Sequence, residues 1–157
     1  MRGRSKMKKP VLVLELKYND PLVSKFINKI MWDGKKETAQ NIAYAALEKL
    51  AAELKTEPAP LLREVIEKAS PILEVRSRRV GGATYQVPME VKPGRKTVLV
   101  MRWLLEAARG QKGRNMTDAL YGEMKDILQD TGKVMKKRED LHKMAEANRA
   151  FAHFARY

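Results

Sequence analysis

The sequence predicts a mainly α-helical protein: about six helices in one bundle-like domain, with one protruding two-stranded β-hairpin at about residues 73–91. Apolar residues recur at three- and four-residue spacing through most of the chain, which is the period of an amphipathic helix. One short segment, rich in β-branched residues and centred on two glycines, interrupts this period. A length of 157 residues fits one domain with a sizeable core, so we expect residues 1–157 to form a single domain.

A basic, extended arm is predicted for residues 1–17. A block of like charge stays extended and solvated unless a polyanion neutralises it. A tail that serves only solubility is the alternative, but the rest of the chain is also basic, and this favours a binding arm. No acidic residue occurs among the first ten positions, and the cations there are Arg2, Arg4, Lys6, Lys8 and Lys9.

The first helix has a recognisable start and end. Asn19-Asp20-Pro21 combines a capping side chain with a proline at a position where its missing N–H is not needed. Asp33-Gly34 ends the apolar stripe that follows.

Five further apolar stripes predict the remaining helices. Two prolines within residues 55–60 predict a loop, and Thr131-Gly132 separates the last two helices. Asn115 is the expected N-cap of the fifth helix. The fourth helix is apolar nearly all round, so Trp103 is expected in the buried centre of the domain. In chain order the helices cover about residues 39–54, 62–69, 97–109, 115–128 and 136–155.

Residues 75–91 form the segment that breaks the helical period. The two glycines at 81–82 can supply the positive φ angles of a two-residue hairpin turn. Such a turn pairs Arg78 with Tyr85 and places both of them on one face with Arg76, whereas a three-residue turn would change this register. Two strands alone are marginal in water, so we expect the hairpin to dock its base on helices and to project its tip.

The charge balance indicates the class of partner. Thirty-two Lys and Arg residues against nineteen Asp and Glu give a net charge of +13, and such self-repulsion favours a polyanionic partner, with nucleic acid first. Most basic clusters lie in loops or at helix ends, where long side chains can reach a phosphate backbone. Beyond the arm, the candidate contacts are Lys35, Lys36, Arg76, Arg78, Arg79, Arg95, Lys96, Arg102, Lys112, Arg114, Lys136, Lys137 and Arg138.

Catalysis and metal binding find little support. The absence of cysteine excludes a disulfide framework, a thiolate zinc site and a cysteine nucleophile. His142 and His153 fall on one predicted helix about 16 Å apart, so they cannot share a metal and are expected to be surface or RNA-stacking groups. Acids at Glu48, Glu53 and Glu57 are expected to form a solvated face without partners.

Cofactors, small-molecule substrates and membranes are not expected either. The glycine-containing basic loops at 33–36 and 110–114 lack the spacing of a phosphate-binding P-loop, and no strand precedes them. No apolar run approaches the roughly 18–20 residues that span a bilayer. We therefore expect a binding protein that has no enzymatic activity.

Two other functions remain open at this point. A DNA-bending architectural protein also pairs helices with a basic ribbon, but it would normally be a symmetric dimer with an apolar wedge at the ribbon tip, where this chain has two glycines. An RNA-processing enzyme is the second alternative, and it lacks support because neither paired carboxylates nor a usable histidine pair occurs.

Three motifs in order resemble the bacterial-type small-subunit ribosomal protein seven family. They are FINKIM and DGKK within residues 26–36, EVRSRRVGGATYQVPMEV at 74–91, and KKREDLHKMAEANRAFAHF at 136–154. The resemblance extends from about residue 17 to residue 154. The chain departs from the family pattern at VLVLEL, residues 11–16, where a proline-containing extended segment is expected, and at its last three residues.

The resemblance implies a structural ribosomal protein that acts in translation. It implies direct binding to the 3′ major domain of small-subunit ribosomal RNA, which nucleates assembly of the subunit head. It further implies a place at the subunit interface near the decoding centre and the exit-site transfer RNA, beside small-subunit proteins nine and eleven. The expected location is the cytoplasmic ribosome, with an organellar ribosome as the alternative.

The resemblance also distributes roles among the residues. The family's ribosomal RNA contacts correspond here to the arm, with Arg2, Arg4, Lys8 and Lys9, and to Lys35, Lys36, Arg76, Arg78, Arg79, Arg95 and Lys96. The residues expected near transfer RNA are Gly81, Gly82, Ala83, Lys143 and Arg149.

Deleting residues 1–9 should weaken binding to ribosomal RNA. It should also reduce the slope of log affinity against log salt concentration by a few units, since each lost phosphate contact removes nearly one unit of slope. Thermal stability should barely change. A full-length variant with glutamine in place of the five arm cations should match the truncated protein. If the truncated protein unfolds markedly more easily, the deleted segment is structural and its role as a binding arm is wrong.

Overall fold

Six α-helices, one β-hairpin and a C-terminal 3₁₀ helix make up residues 13–156, the part of the chain that a computed structural model describes. The mainly α-helical fold class with one hairpin is confirmed. The elements are α1 (Pro21–Ile30), α2 (Lys36–Leu54), α3 (Pro58–Ala69), β1 (Leu73–Val80), β2 (Ala83–Glu90), α4 (Pro93–Arg109), α5 (Met116–Leu128), α6 (Gly132–Ala147) and the 3₁₀ helix (Arg149–Arg156).

The caps at the helix starts agree with the sequence in part. Asp20 caps α1 as predicted, because its Oδ1 accepts a hydrogen bond from the backbone N–H of Leu22 at 2.6 Å. Asn115 occupies the N-cap position of α5 as predicted, although its side chain makes no hydrogen bond to the first turn. The loop at 55–60 is shorter than predicted, since α3 already begins at Pro58, where a proline is compatible with the first turn.

One cluster of buried side chains from the α-helices forms the core. Its largest fully buried members include Phe26, Leu47, Leu62, Leu104 and Leu120, one from each of the first five helices. Burial of such side chains contributes about 1.5–3 kcal/mol each, so this cluster is the main stabilising element of the fold.

Helix α4 lies centrally, because it packs against α1, α3, α5 and α6. It is not apolar all round, however: Arg102 and Glu106 are exposed on it. Trp103 is only partly buried and packs against the core from its margin. The expectation of a buried Trp103 is therefore wrong, and α4 has a polar side available to solvent.

The hairpin register is confirmed. Arg78 pairs with Tyr85 across a two-residue turn, and the turn glycines have φ angles of 58° and 91°, which a residue with a side chain adopts only at a cost. Because side chains alternate along a strand, Arg76 and Arg78 share the face of Tyr85, whereas Arg79 lies on the opposite face.

The C-terminal 3₁₀ helix covers the Tyr85 face of the hairpin. The Tyr85 ring lies 5.2 Å from that of Phe151 and 5.1 Å from that of Phe154, measured between centroids. Tyr85 is thus part of an intramolecular aromatic cluster that joins the hairpin to the C-terminal 3₁₀ helix.

The last α-helix differs from the predicted 136–155. It begins at Gly132, directly after Thr131, and ends at Ala147. Gly132 has a φ of 90°, and a Cβ there would come within 2.8 Å of the Asp126 Cβ, so only glycine allows the tight connection to α5. At the other end the Asn148 side chain donates to the Met144 carbonyl at 2.8 Å, a local bond that competes with continued helix.

The predicted arm is not extended up to residue 17. The Glu15 side chain is buried, and its carboxylate accepts hydrogen bonds from the backbone N–H groups of Lys17 and Tyr18 and from the Tyr44 hydroxyl at 2.7 Å. Burial raises the pKa of Glu15, but these hydrogen bonds outweigh it and lower the pKa overall. The arm cations Arg2, Arg4, Lys8 and Lys9 lie outside the described residues.

His142 ties α6 to the start of the hairpin. Its Nε2 atom accepts a hydrogen bond from the backbone N–H of Ile72 at 3.0 Å, so the ring is neutral when the bond is made. His153 lies on the 3₁₀ helix, and the two histidines therefore do not share one α-helix. Burial, and then the nearby Arg138 charge, lower the pKa of His142.

This lowered pKa predicts a pH dependence of stability. The unfolded chain takes up the His142 proton at a higher pH than the folded chain, so the contribution of this group is present above its ordinary pKa, about 6.5. It is lost as the pH falls through the lower folded value. Urea unfolding of the wild type should show a steeper loss of stability between pH 7 and pH 5 than that of His142→Gln. Parallel curves would contradict the assigned hydrogen bond.

Candidate nucleic-acid interface

A basic groove lies between α1 and α4. A depression of about 270 Å³ occupies its first part, where the cations are Lys25 and Lys29 of α1 and the floor includes Val98 and Met101 of α4. A second depression continues along α4 past Arg102 and Arg109 and shares Lys29 with the first. Two helices thus place cations on both sides of an apolar floor.

The sequence spacing explains why these cations line one groove. Lys25 and Lys29 are four residues apart on α1 and therefore lie on the same side of it. On α4, Arg95, Arg102 and Arg109 are seven residues apart, which is close to two helical turns. The opposite sides of both helices are buried in the core, so these stripes face solvent along the rim where the helices meet.

An exposed aromatic ring lies at one end of the groove. The Arg109 guanidinium stacks over Trp32 at 4.8 Å from the ring centre and donates to the Ile30 carbonyl at 3.3 Å. Trp32 remains 63% exposed, so one of its surfaces is available to a planar ligand such as a base. Lys35 and Lys36 follow it, and both are exposed.

A buried carboxylate lies at the other end, at the base of the hairpin. Glu74 of β1 accepts hydrogen bonds from the Nε atoms of Arg76, at 2.6 Å, and Arg95, at 3.2 Å. It thereby connects the hairpin to the first turn of α4. The hairpin arginines consequently continue the charged surface of the α4 stripe.

The loop after α4 extends the basic surface beyond Gly110, which lines the second depression. Gln111 donates to the buried Glu123 side chain at 2.8 Å, which fixes the loop against α5. Lys112 and Arg114 project from the same loop and are exposed. The sequence-predicted loop cations therefore adjoin the groove.

The family model for ribosomal protein S7p/S5e matches residues 1–149.

The chain belongs to this family.

Curated relatives agree with the family model over most of the chain. The small ribosomal subunit protein uS7 of Thermosipho melanesiensis is 58% identical over 137 residues, which cover 87% of this chain and 88% of the relative. That of Nautilia profundicola is 51% identical over 154 residues, 98% of this chain and 99% of the relative. That of Bartonella henselae is 47% identical over the same share of both chains.

Family membership decides between the functions that the sequence left open. The chain is a structural protein of the small ribosomal subunit that binds ribosomal RNA and acts in translation, and it is not an enzyme. The resemblance predicted from the three motifs is confirmed, and the DNA-bending and RNA-processing alternatives are not supported. These relatives are bacterial, which places the chain on the cytoplasmic ribosome.

Two further observations concern the described residues. Among them, no three or more His, Cys, Asp or Glu side chains cluster so as to hold a metal ion. Within the same range, every helix is too short or too polar to cross a bilayer.

Two of the side chains predicted to contact RNA instead form interactions within the protein. Lys137 pairs with Glu106 at 2.7 Å, and Arg138 donates to the Lys68 carbonyl at 2.6 Å from a half-buried position. These two side chains stabilise the packing of α6, whereas Lys136 is exposed.

Two acids of α2 are exposed, as the predicted solvated face requires, but they have partners, which was not expected. Glu48 pairs with Lys17 and Tyr18, and Glu53 pairs with Lys125 and Tyr121 on α5. Sequence spacing alone does not reveal these pairs, because the partners lie about thirty to seventy residues apart, brought together by helix packing.

The residues expected near transfer RNA lie on three elements. Gly81, Gly82 and Ala83 are exposed at the hairpin tip. Lys143 is exposed on α6, and Arg149 is exposed on the 3₁₀ helix, with one nitrogen 3.3 Å from Glu146. Since the 3₁₀ helix packs on β2, Arg149 and the hairpin belong to one structural unit.

Sequence reasoning missed four groove residues: Lys25, Lys29, Trp32 and Arg109. A helical projection would have found the three cations, because the two lysines repeat at i, i+4 and the arginine completes a seven-residue repeat with Arg102, whereas Trp32 lies beyond the end of α1. Searching for clusters of consecutive cations favours loops and overlooks charges that are adjacent only on a helix.

Proposed function

We propose that the groove between α1 and α4 is the principal surface with which this protein binds the 3′ major domain of small-subunit ribosomal RNA. The supporting observation is that Lys25, Lys29, Arg102 and Arg109 line two adjoining depressions that share Lys29 and have apolar side chains in their floor. Cations on both walls suit an RNA backbone that enters between them, and the floor can accept sugar or base surfaces. Glu106 also lines the groove, but Lys137 neutralises it.

The two ends of the groove carry different groups, so RNA bound in the groove would meet them in a fixed order. At one end Trp32 offers a stacking surface next to Lys35 and Lys36, and at the other the hairpin arginines adjoin the start of α4. Lys96, half-buried near that start, adds charge there. We infer that one RNA strand or helix edge contacts loop, groove and hairpin base in succession.

The same geometry supports a role in nucleating assembly of the subunit head. Both groove walls are helices whose inner sides belong to the protein's own core. No second protein is needed to form the binding surface, so the chain can bind RNA before its neighbours join. In this proposal the neighbours are small-subunit proteins nine and eleven.

A role near the exit-site transfer RNA and the decoding centre is proposed for the hairpin tip and the adjoining C-terminal elements. Gly81, Gly82 and Ala83 present exposed backbone that can approach a nucleic acid closely. Lys143 and Arg149 supply charge from α6 and the 3₁₀ helix.

The groove is tested by removing one cation from each wall. Lys29→Ala with Arg102→Ala should weaken binding to a 3′ major-domain fragment by roughly tenfold or more and lower the salt slope by about two units, since the two contacts are electrostatic. The melting temperature should change little, because substitutions at exposed positions usually alter the free energy of unfolding by no more than about 0.5 kcal/mol each. Filter binding across a salt series measures both quantities.

A matched control removes the same charge elsewhere. Lys49→Ala with Lys125→Ala takes two cations from the α2–α5 surface, where they face Asp118 and Glu53. This control should retain most of the affinity. Equal losses in both double variants would mean that bulk charge, and not the groove, governs binding.

The hairpin tip is tested by shortening it. Deleting residues 80–83 and joining Arg79 to Thr84 through a new Asn-Gly turn should leave binding to isolated ribosomal RNA unchanged, because the base and the groove remain. Ribosomes that contain the shortened protein should retain exit-site transfer RNA less well in a dissociation assay. Ala83→Ser, which keeps the tip length, is the control. Loss of binding to isolated ribosomal RNA would instead assign the tip to the primary site.

A further inference from the structure

Glu74 is an acidic side chain within an otherwise basic surface. It lies on β1 with only 7% of its side chain exposed, whereas the two arginines that contact it are 54% exposed (Arg76) and 40% exposed (Arg95). One of these arginines belongs to the hairpin and the other to α4. The carboxylate is therefore the buried centre of a cluster whose cations reach solvent.

The contacts use only part of each guanidinium. The Glu74 Oε2 atom accepts from the Nε of Arg95, and Oε1 accepts from the Nε of Arg76 and forms an ion pair with one of its terminal nitrogens. A guanidinium carries five N–H donors in one plane. Each arginine consequently has terminal donors left over, while its plane is already fixed by the carboxylate.

We propose that Glu74 is a positioning residue for RNA binding: it holds Arg76 and Arg95 as a preoriented pair whose remaining donors take phosphate groups of the ribosomal RNA backbone. The inference rests on the proposed function and adds to it a role for an acid that cannot itself attract RNA. Fixing two long side chains before binding reduces the conformational entropy lost when the complex forms. It also sets the hairpin base relative to α4, since the two arginines come from these two elements.

Charge and positioning predict opposite effects when Glu74 is neutralised. Replacing a carboxylate raises the net charge of the protein by one unit, so electrostatic attraction to any RNA increases. The loss of orientation weakens binding only where the arginines must match defined phosphates. The sign of the change in specific affinity therefore separates the two effects.

The test compares Glu74→Gln with Glu90→Gln. Glu90 is exposed on β2 opposite Leu73, at the same end of the hairpin, so both variants gain one unit of charge at nearly the same place. The two probes are a 3′ major-domain fragment of ribosomal RNA and poly(U), which reports attraction without a defined site. Thermal melts establish that each variant is folded at the binding temperature.

Glu74→Gln should bind the ribosomal RNA fragment roughly five- to tenfold more weakly than the wild type, as expected when two side chains must be ordered on binding. Its affinity for poly(U) should be unchanged or higher. Glu90→Gln should bind both probes at least as tightly as the wild type. Fragment binding by Glu74→Gln that equals or exceeds that of Glu90→Gln would overturn the positioning role.

A second variant covers the case in which Glu74→Gln does not fold. Arg76→Lys with Arg95→Lys keeps both charges but removes the planar forks that the carboxylate orients. Its affinity for the ribosomal RNA fragment should fall by a similar factor, and its affinity for poly(U) should not change. Equal fragment binding by this variant and the wild type would also overturn the proposal.

Different results would overturn the proposed function and the positioning role of Glu74. If Lys29→Ala with Arg102→Ala retains full affinity for the fragment, the groove is not the RNA surface and the premise of the inference is lost. If that variant loses affinity while Glu74→Gln does not, only the positioning role is wrong.

Discussion

The packing of α1 against α4 determines where most of the functional charge can lie. Phe26 and Ile27 on α1 and Met101 and Leu104 on α4 are buried in the shared core, which fixes the rotation of each helix about its own axis. Because the inner sides of both helices are buried, their polar sides must meet along the outer rim. The groove is therefore a geometric consequence of core packing and needs no separate stabilising interaction.

The same packing makes the charge distribution uneven. On the surface formed by α2 and α5, cations face acids of the neighbouring helix, as in the pairs Lys49–Asp118 and Lys125–Glu53. Such exposed ion pairs add little to stability. Their main effect is electrostatic: they neutralise the α2–α5 surface, so the excess of positive charge is concentrated where few acids lie. A polyanion approaching the protein consequently meets an oriented field.

Local sequence features predicted the parts of the fold that depend on short-range geometry. The Asp20 cap and the hairpin register with Arg78 opposite Tyr85 were predictable, because a capping residue and a two-glycine turn determine them within a few residues. The helix period likewise located the buried sides of α1 and α2. Trp103 was misplaced because an apolar stripe does not show which part of a helix the neighbouring helices cover.

Features that depend on distant segments could not be predicted. The Tyr85 cluster requires the chain after α6 to turn back as a 3₁₀ helix and bring Phe151 and Phe154 onto the hairpin. The groove required knowing which two helices are neighbours. Lys25, Lys29 and Arg109 were therefore missed, and only Arg95 and Arg102 of the charged stripes were among the candidates. Sequence identified the chemistry of the interface, basic and nucleic-acid binding, whereas its arrangement emerges from tertiary contacts.

The aromatic cluster supports the hairpin close to its tip. Tyr85 is two residues from the end of the ribbon, at Ala83, so the overhang beyond the support is only about 7 Å at the usual rise per strand residue. At this point the ring contacts of Phe151 and Phe154 hold the ribbon against the 3₁₀ helix. The ribbon can shift relative to the 3₁₀ helix here only if these contacts break, so the positions of the hairpin and of the C-terminal helix are linked.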